Sequence, residues 1–252
     1  MDPSHRPTLV FLHGVNNAEN TGNWKASLNS RLNSLGYPAL AEAGIAVYAP
    51  HYSSHLADEP SSSTAPERAN TRPSADDHLA FEVAQSRLRR LVGSEDKVET
   101  DRALELPGAL MNVATTAPKP HLPLGEADRY RTSEHVRNAV LTEILTGLPT
   151  GDLVVVAHSL GSVIAMDLVE LLPPDRRITR LVTLGSPLGI PAMTSYLPKM
   201  RRPRFPAHVV RSWLNALNPT DVVTGGRGLG ATYPQAHNIV LAGGSRHAAA
   251  HY

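Results

Sequence analysis

The stretch from Gly151 to Asp167 constrains the fold of this chain more than any other. It opens with a Gly-Asp turn signal, continues as the apolar run 153–157, and then carries small and apolar residues at helical spacing up to the proline pair 173–174. An unbroken β-branched and apolar run is typical of a strand buried on both faces of a parallel sheet, and a proline pair is typical of a helix end. The sequence therefore predicts a strand that turns directly into a helix, with Ser159 at the join.

Such a turn places its central residue in a sparsely allowed backbone conformation. Small residues two positions before and after it let the strand and helix approach each other, and these are Ala157 and Gly161. The Ser159 hydroxyl is then lifted above the sheet, where the amide of Leu160 is free to stabilise an oxyanion. The sequence Ala-His-Ser-Leu-Gly, with His158 before the serine, resembles the G-x-S-x-G nucleophile elbow of the α/β-hydrolase fold serine esterases and lipases, with alanine replacing the first glycine.

A second likeness to this family lies near the amino terminus. The apolar run 8–12 predicts a short buried strand, and it ends at His13-Gly14-Val15. The resemblance implies that this loop supplies the other oxyanion amide, from Val15, while Gly14 allows the loop to approach closely. Taken alone, Ser159 is also compatible with a buried helix cap and His-Gly with a common turn. Found together, they favour a hydrolase site.

Predicted strands alternate with predicted helices along the whole chain. We therefore expect an α/β fold with a doubly wound, mostly parallel sheet flanked by helices, as the resemblance also implies. At 252 residues the chain suits one domain over 1–252. Three irregular stretches are predicted to be cap or lid insertions. The predicted strands are 8–12, 44–50, 178–184, 208–217 and 237–241 besides the central one, the main predicted helices are 22–37, 76–92 and 129–148, and the insertions are about 51–75, 93–127 and 188–207.

A serine nucleophile needs a base to take its proton, and the base needs a carboxylate to orient it. The family order is serine, acid, histidine. The predicted strand 178–184 is followed by the loop Gly185-Ser186-Pro187, the Gly-Ser-Pro loop. The resemblance assigns the acid to Asp221, which follows the next strand; a plain turn aspartate is the alternative. His237, His247 and His251 are candidates for the base. We expect His247, because it follows the last strand through a Gly-Gly-Ser loop and resembles the lipase-like pattern of a histidine with an aromatic residue, here Tyr252, five positions on.

Two further motifs in the sequence resemble a metal site and a nucleotide-binding site. His247 and His251 lie one helical turn apart, as metal ligands can, but zinc proteases with this spacing carry a glutamate where this chain has Ala248. The segment 226–231 partly resembles a dinucleotide fingerprint, but it does not open a βαβ unit, so we interpret it as a flexible active-site loop. We therefore expect no metal and no cofactor.

Charge and composition limit the expected partners. The net charge is +1 and there is no cysteine, which excludes disulfides and thiolate catalysis. The basic cluster 87–90 lacks interleaved aromatic residues, so no nucleic acid is expected. Segment 190–205 combines apolar residues with four basic ones, which suits either a lid making transient contact with a membrane surface or a solvated connection. With no apolar leader or membrane span, the sequence predicts a cytoplasmic protein.

The combined prediction is a serine hydrolase that cleaves small-molecule or lipid esters through an acyl-enzyme. A lipase or phospholipase is the sharper expectation and a small-molecule esterase the broader one, with thioesterase or acyltransferase chemistry left open. A non-catalytic binding or regulatory module on the same scaffold is the alternative from another class, because a fold does not dictate function. The sequence stops five residues after His247, where this fold normally completes a covering helix, so we also expect an amino-terminal domain of a longer chain.

Overall fold

The fold is seen in a computed structural model that describes a parallel sheet and elements around the predicted nucleophile. The described residues are 6–15, 23–57, 124–190, 209–219, 221, 223–224, 226–241, 249 and 252.

The described residues form a central six-stranded sheet in which every pair of neighbouring strands is parallel. Its order is β2-β1-β3-β4-β5-β6. The predicted doubly wound parallel sheet is therefore confirmed. The strands are β1 (Thr8–Leu12), β2 (Val47–Tyr48), β3 (Gly151–His158), β4 (Arg176–Leu184), β5 (Trp213–Leu217) and β6 (Ala236–Val240).

Five α-helices and one 3-10 helix accompany the sheet in the described part of the chain. The predicted helix 129–148 is two helices, because the backbone at Ser133 is extended and its side chain caps the second helix by accepting a hydrogen bond from the Val136 amide at 3.3 Å. The helices are α1 (Asn23–Ser34), α2 (Ser53–Leu56), α3 (Leu124–Thr132), α4 (Glu134–Gly147) and α5 (Leu160–Glu170), and the 3-10 helix is Pro187–Gly189.

The helices cover both faces of the sheet, as alternating side chains of β1 show. Val10 and Leu12 belong to the buried core that also contains the apolar side chains of α4 and α5. Phe11 points to the opposite face, where its ring stacks on Trp24 of α1 with centroids 4.1 Å apart. A strand covered on both faces needs apolar residues at successive positions, which is why β1 and β3 appear as apolar runs in the sequence.

The strand order places a topological switch point between β1 and β3. From β1 the chain moves outward to β2 on one side, whereas β3, β4, β5 and β6 follow one another on the other side. Loops that leave two adjacent parallel strands in opposite directions open a crevice at their carboxyl ends, which is where open α/β sheets bind ligands. The loop beginning at His13 and the turn at Ser159 both start at this crevice.

Several predicted boundaries differ from the structure. β2 is confined to two residues of the predicted 44–50, since Gly44 has a left-handed φ of +66° and Pro50 lacks an amide hydrogen. β5 starts at Trp213, and among the described residues 209–212 it is preceded by an isolated bridge between Val210 and Ile178.

The predicted insertions 51–75, 93–127 and 188–207 lie largely outside the described residues, as does the predicted helix 76–92. Their described ends form α2, the first turn of α3 and part of the 3-10 helix. None of the helices that the structure describes is long and apolar enough to cross a membrane.

Candidate active site

Ser159 stands at a strained turn between β3 and α5. Its φ is 53° and its ψ is −124°, and it has the only positive φ among the described non-glycine residues. A positive φ at a residue with a side chain costs roughly 1–3 kcal/mol and persists only where the surroundings enforce it. Here β3 is held in mid-sheet on one side, and the Ser159 amide donates to the Leu184 carbonyl at 3.0 Å. The strain marks Ser159 as a candidate functional residue.

Gly161 is required by the close contact between α5 and β1. A Cβ at this position would lie 2.2 Å from the Leu12 carbonyl oxygen and 2.7 Å from that of His13. Those oxygens belong to backbone that cannot move without distorting the strand. On the other side of the turn, Ala157 is fully buried in the core, so its extra methyl group is accommodated where the family motif has glycine.

The loop after β1 lies directly against Ser159. A Cβ on Gly14 would be 2.7 Å from the Ser159 Cβ and 3.3 Å from its Oγ. Val15, the next residue, is half-buried and packs against the core. Leu160, on the other side, is the first residue of α5, where amides have no partner within the helix. The structure thus brings together Ser159 and the segments that carry both predicted oxyanion amides.

The side chains of His13 and Tyr52 hold the loop after β1 in place. The rings of the two residues stack with centroids 4.1 Å apart, and the Tyr52 hydroxyl donates to the His13 carbonyl at 2.6 Å. His13 Nδ1 lies 2.7 Å from the Gly14 carbonyl oxygen, so Nδ1 carries the hydrogen. Burial lowers the pKa of His13 and raises that of Tyr52. Both side chains are therefore neutral near pH 7, and their contacts hold the backbone of the loop in place.

A pair of buried serines, which the sequence analysis did not single out, supports the carbonyl of Ser159. The Ser162 hydroxyl donates to that carbonyl at 2.6 Å and lies 2.7 Å from the Ser186 hydroxyl. Since Ser162 has only one hydroxyl hydrogen, Ser186 is the donor in the second bond. The sequence signal at this position was Ser186 followed by Pro187, a pattern typical of a helix start. In the structure Ser186 caps the 3-10 helix Pro187–Gly189, next to the Ser159 turn.

Asp221 lies in the loop after β5, at the same edge of the sheet as Ser159. The strands that precede these residues are two strand spacings apart, about 10 Å. The Asp221 side chain is only 1% exposed. Its Oδ1 accepts from the Val223 amide at 2.8 Å, and its Oδ2 accepts from the Tyr252 hydroxyl.

Tyr252 links Asp221 to the nucleophile turn. Its ring centroid lies 6.2 Å from that of His158, the buried residue directly before Ser159. The structure therefore joins the predicted acid to the predicted elbow through a residue that the sequence analysis treated only as part of a pattern.

The comparison with protein families agrees with this geometry. The sequence model of the alpha/beta hydrolase family matches residues 9–249, nearly the whole chain. This chain belongs to the alpha/beta hydrolase family. Neither the curated proteins nor the solved structures contain a match to it. The match assigns the chain to the hydrolases of this superfamily and leaves the substrate and the roles of individual residues to be argued from the site.

The predicted base of this alpha/beta hydrolase, His247, lies outside the described residues, as does His251. Of the three histidine candidates only His237 is described, and it is exposed on β6, level with Leu214 of β5. Successive side chains of a strand point to opposite faces of the sheet. Because Trp213 belongs to the core that also contains α5, Leu214 and its neighbour His237 point to the other face. Among the described residues there is no group of three or more metal-ligating side chains.

The glycine-rich segment 226–231 of the hydrolase packs against its neighbouring loops. A Cβ on Gly189 would lie 2.9 Å from the Gly228 carbonyl oxygen, and one on Gly228 would lie 2.9 Å from the Asn238 side-chain amide. The loops after β4 and β5 are thus in contact at the edge of the sheet that carries Ser159. The described residues of the segment form turns instead of opening a helix, so the context of a dinucleotide fingerprint is not found there.

Proposed function

We propose that this alpha/beta hydrolase cleaves carboxylic esters, with Ser159 as the nucleophile. The observation that carries the proposal is the positive φ of Ser159 at a strand-to-helix turn with Gly14 packed against its side chain. This arrangement is unfavourable for the fold and serves to present a hydroxyl next to backbone amides. A serine that only capped α5 would not need it, and the Ser159 side chain makes no cap hydrogen bond.

The proposed reaction follows from the chemistry of these groups. Ser159 Oγ attacks the ester carbonyl carbon while His247 takes the hydroxyl proton, and Asp221 orients His247 and stabilises its charged form. The amides of Leu160 and Val15 bind the oxyanion of the tetrahedral intermediate. The bond to the alcohol oxygen then breaks as His247 returns the proton to it, which leaves an acyl group on Ser159. Water attacks this acyl group and gives a proton to His247, which passes that proton to Ser159 Oγ as the acyl bond breaks, so the acid and the free serine are released.

Within this chemistry we propose lipid or phospholipid esters as the sharper substrate class and small-molecule esters as the broader one. Segment 190–205 supports the lipid proposal through its composition, since its apolar residues and four basic side chains suit an anionic lipid surface. A thiol ester would be attacked in the same way, and a second alcohol in place of water would make the protein an acyltransferase. These remain alternatives within the same proposal.

The test is hydrolysis of p-nitrophenyl esters of increasing acyl length by the wild type, Ser159→Ala and His247→Ala, with labelling by a fluorophosphonate probe. We expect turnover by the wild type and a loss of roughly 10⁴-fold or more in kcat for each variant, because the triad acts as a unit. Ser186→Ala is the control, because it removes a buried hydroxyl from the hydrogen-bond network around Ser159 without removing the nucleophile. Preference for long chains would support the lipid proposal. A wild type that neither turns over nor is labelled would refute catalysis and favour a binding module.

A further inference from the structure

Tyr252 contacts the carboxylate of Asp221 directly, and the reaction proposed above assigns it no role. Its hydroxyl donates to Oδ2, while the Val223 amide donates to Oδ1 at 2.8 Å. We propose that Tyr252 is a positioning residue, which holds the Asp221 carboxylate in the plane from which it orients the catalytic base. This inference rests on the proposed function of Asp221 as the acid.

The two donors fix the carboxylate from opposite oxygens. An aspartate in a single contact can rotate about its last side-chain torsion, which is broad and weakly restrained. With one donor on each oxygen, that rotation would break a hydrogen bond inside a site where the side chain is 1% exposed. A carboxylate oxygen has two lone pairs, so accepting from one donor does not by itself prevent it from accepting from an imidazole N–H as well. Tyr252 therefore restrains the rotation of the Asp221 carboxylate, and this restraint is compatible with Asp221 accepting from the base.

The phenol is held as a donor by its own surroundings. The carboxylate oxygen can only accept, so the hydroxyl hydrogen of Tyr252 is directed at Asp221 Oδ2. Burial and the neighbouring charge of Asp221 raise the pKa of Tyr252 far above its usual value. The phenol consequently remains protonated through the pH range of ester hydrolysis. A hydrogen bond between a neutral donor and a carboxylate is also among the stronger ones in proteins.

The position of the ring gives Tyr252 a second link to the site. It lies beside His158, with ring centroids 6.2 Å apart and planes at 52°. The residue thus contacts both the loop that carries the acid and the turn that carries the nucleophile. A movement of Asp221 relative to Ser159 would require these contacts to change.

The protein contains a matched pair for comparison. Tyr130 on α3 donates to Asp167 Oδ2 on α5 at 2.9 Å, so it too joins a tyrosine hydroxyl to a buried aspartate. Asp167 lies about two helical turns beyond Ser159, inside the core. Tyr130→Phe removes the same chemical group from the same kind of hydrogen bond, but from a carboxylate outside the site.

The experiment compares Tyr252→Phe and Tyr130→Phe, each alone and combined with Asp221→Ala. The rates measured are kcat for ester hydrolysis, normalised to the concentration of Ser159 titrated by a fluorophosphonate, and the second-order rate of that labelling. Normalisation restricts the rates to folded, active protein. We expect Tyr252→Phe to lower kcat by about tenfold with KM unchanged within about twofold, because only the orientation of the base is affected. Tyr130→Phe should leave kcat within about twofold.

The double variants decide whether Tyr252 acts through Asp221. If it does, Tyr252→Phe slows labelling in the wild type and has no further effect once Asp221 is alanine. The proposal is overturned if Tyr252→Phe leaves kcat within about twofold of the wild type, or if it slows labelling by the same factor in both backgrounds. If Ser159→Ala loses kcat as expected while Tyr252→Phe gives either of these two results, only the role of Tyr252 is rejected and the proposed function stands. Loss of the proposed function itself would appear as a wild type without turnover or labelling.

Discussion

Replacing Gly14 by alanine tests whether the loop after β1 must lie as close to Ser159 as the structure shows. The new Cβ would be 2.7 Å from the Ser159 Cβ, where ordinary contacts begin at 3.4 Å, so the two segments must separate by about 0.7 Å. Neither can yield easily. Ser159 is fixed by the Leu184 carbonyl and the Ser162 hydroxyl, and the loop is fixed by the Tyr52 hydroxyl on the His13 carbonyl.

This displacement falls on the loop that carries the proposed oxyanion amide of Val15. A misplacement of 1 Å in an active site costs roughly 100-fold in rate, so we expect Gly14→Ala to lower kcat/KM by about 10- to 100-fold. Overpacking should also lower the free energy of unfolding by about 1–3 kcal/mol. Ester hydrolysis measures the first quantity and urea unfolding the second.

Gly230→Ala is the control for this experiment. Its Cβ would meet only the Asn238 side-chain amide, at the ordinary distance of 3.5 Å. We expect this variant to keep kcat/KM within about twofold of the wild type. The reasoning about close approach would be refuted if Gly14→Ala retained full activity and stability, or if both glycine variants lost activity equally.

Two other predictions concern the strained serine and the buried histidine. Ser159→Gly should be more stable than Ser159→Ala by about 1 kcal/mol, or about 2–4 °C in Tm, because glycine adopts a φ of 53° without strain; thermal unfolding in which the glycine variant melts first would contradict this. Burial lowers the pKa of His13 below its usual 6.5, so the unfolded chain binds a proton there that the folded protein does not. Stability should therefore fall as pH decreases below about 6.5, by at most about 1.4 kcal/mol per pH unit from this group. Urea unfolding at several pH values measures the free energy of unfolding of the wild type and of His13→Asn. The variant should lose this part of the pH dependence, and equal slopes of the free energy of unfolding against pH in the two proteins would contradict the prediction.

The main elements could be predicted because their signals are local. The apolar runs of β1 and β3 show burial on both faces, and the helical spacing after Ser159 predicts α5. The prediction missed the break at Ser133 because an apolar periodicity continues across it. A serine cap is a weak signal inside a long periodic stretch, and the break becomes visible only when the cap hydrogen bond forms.

The candidate site was predictable in part for the same reason. The elbow at Ser159 is a local turn, so its small neighbours Ala157 and Gly161 appear in the sequence at fixed offsets. The supporting contacts of Tyr52 and Tyr252 had no comparable signal. Their partners are a backbone carbonyl and a carboxylate far away in the chain, and an isolated tyrosine does not indicate where its hydroxyl will bind.

The sequence alone determined the parallel sheet and the serine at its strand-to-helix turn, since both follow from the spacing of apolar residues and from backbone sterics over a few positions. Tertiary structure decided which distant groups meet there. Gly14 contacts Ser159 because β1 and β3 are neighbours in the sheet, and Tyr252 reaches Asp221 because the loop after β5 ends at the same edge. Such contacts depend on strand order, and strand order is fixed only when the whole chain packs around one core.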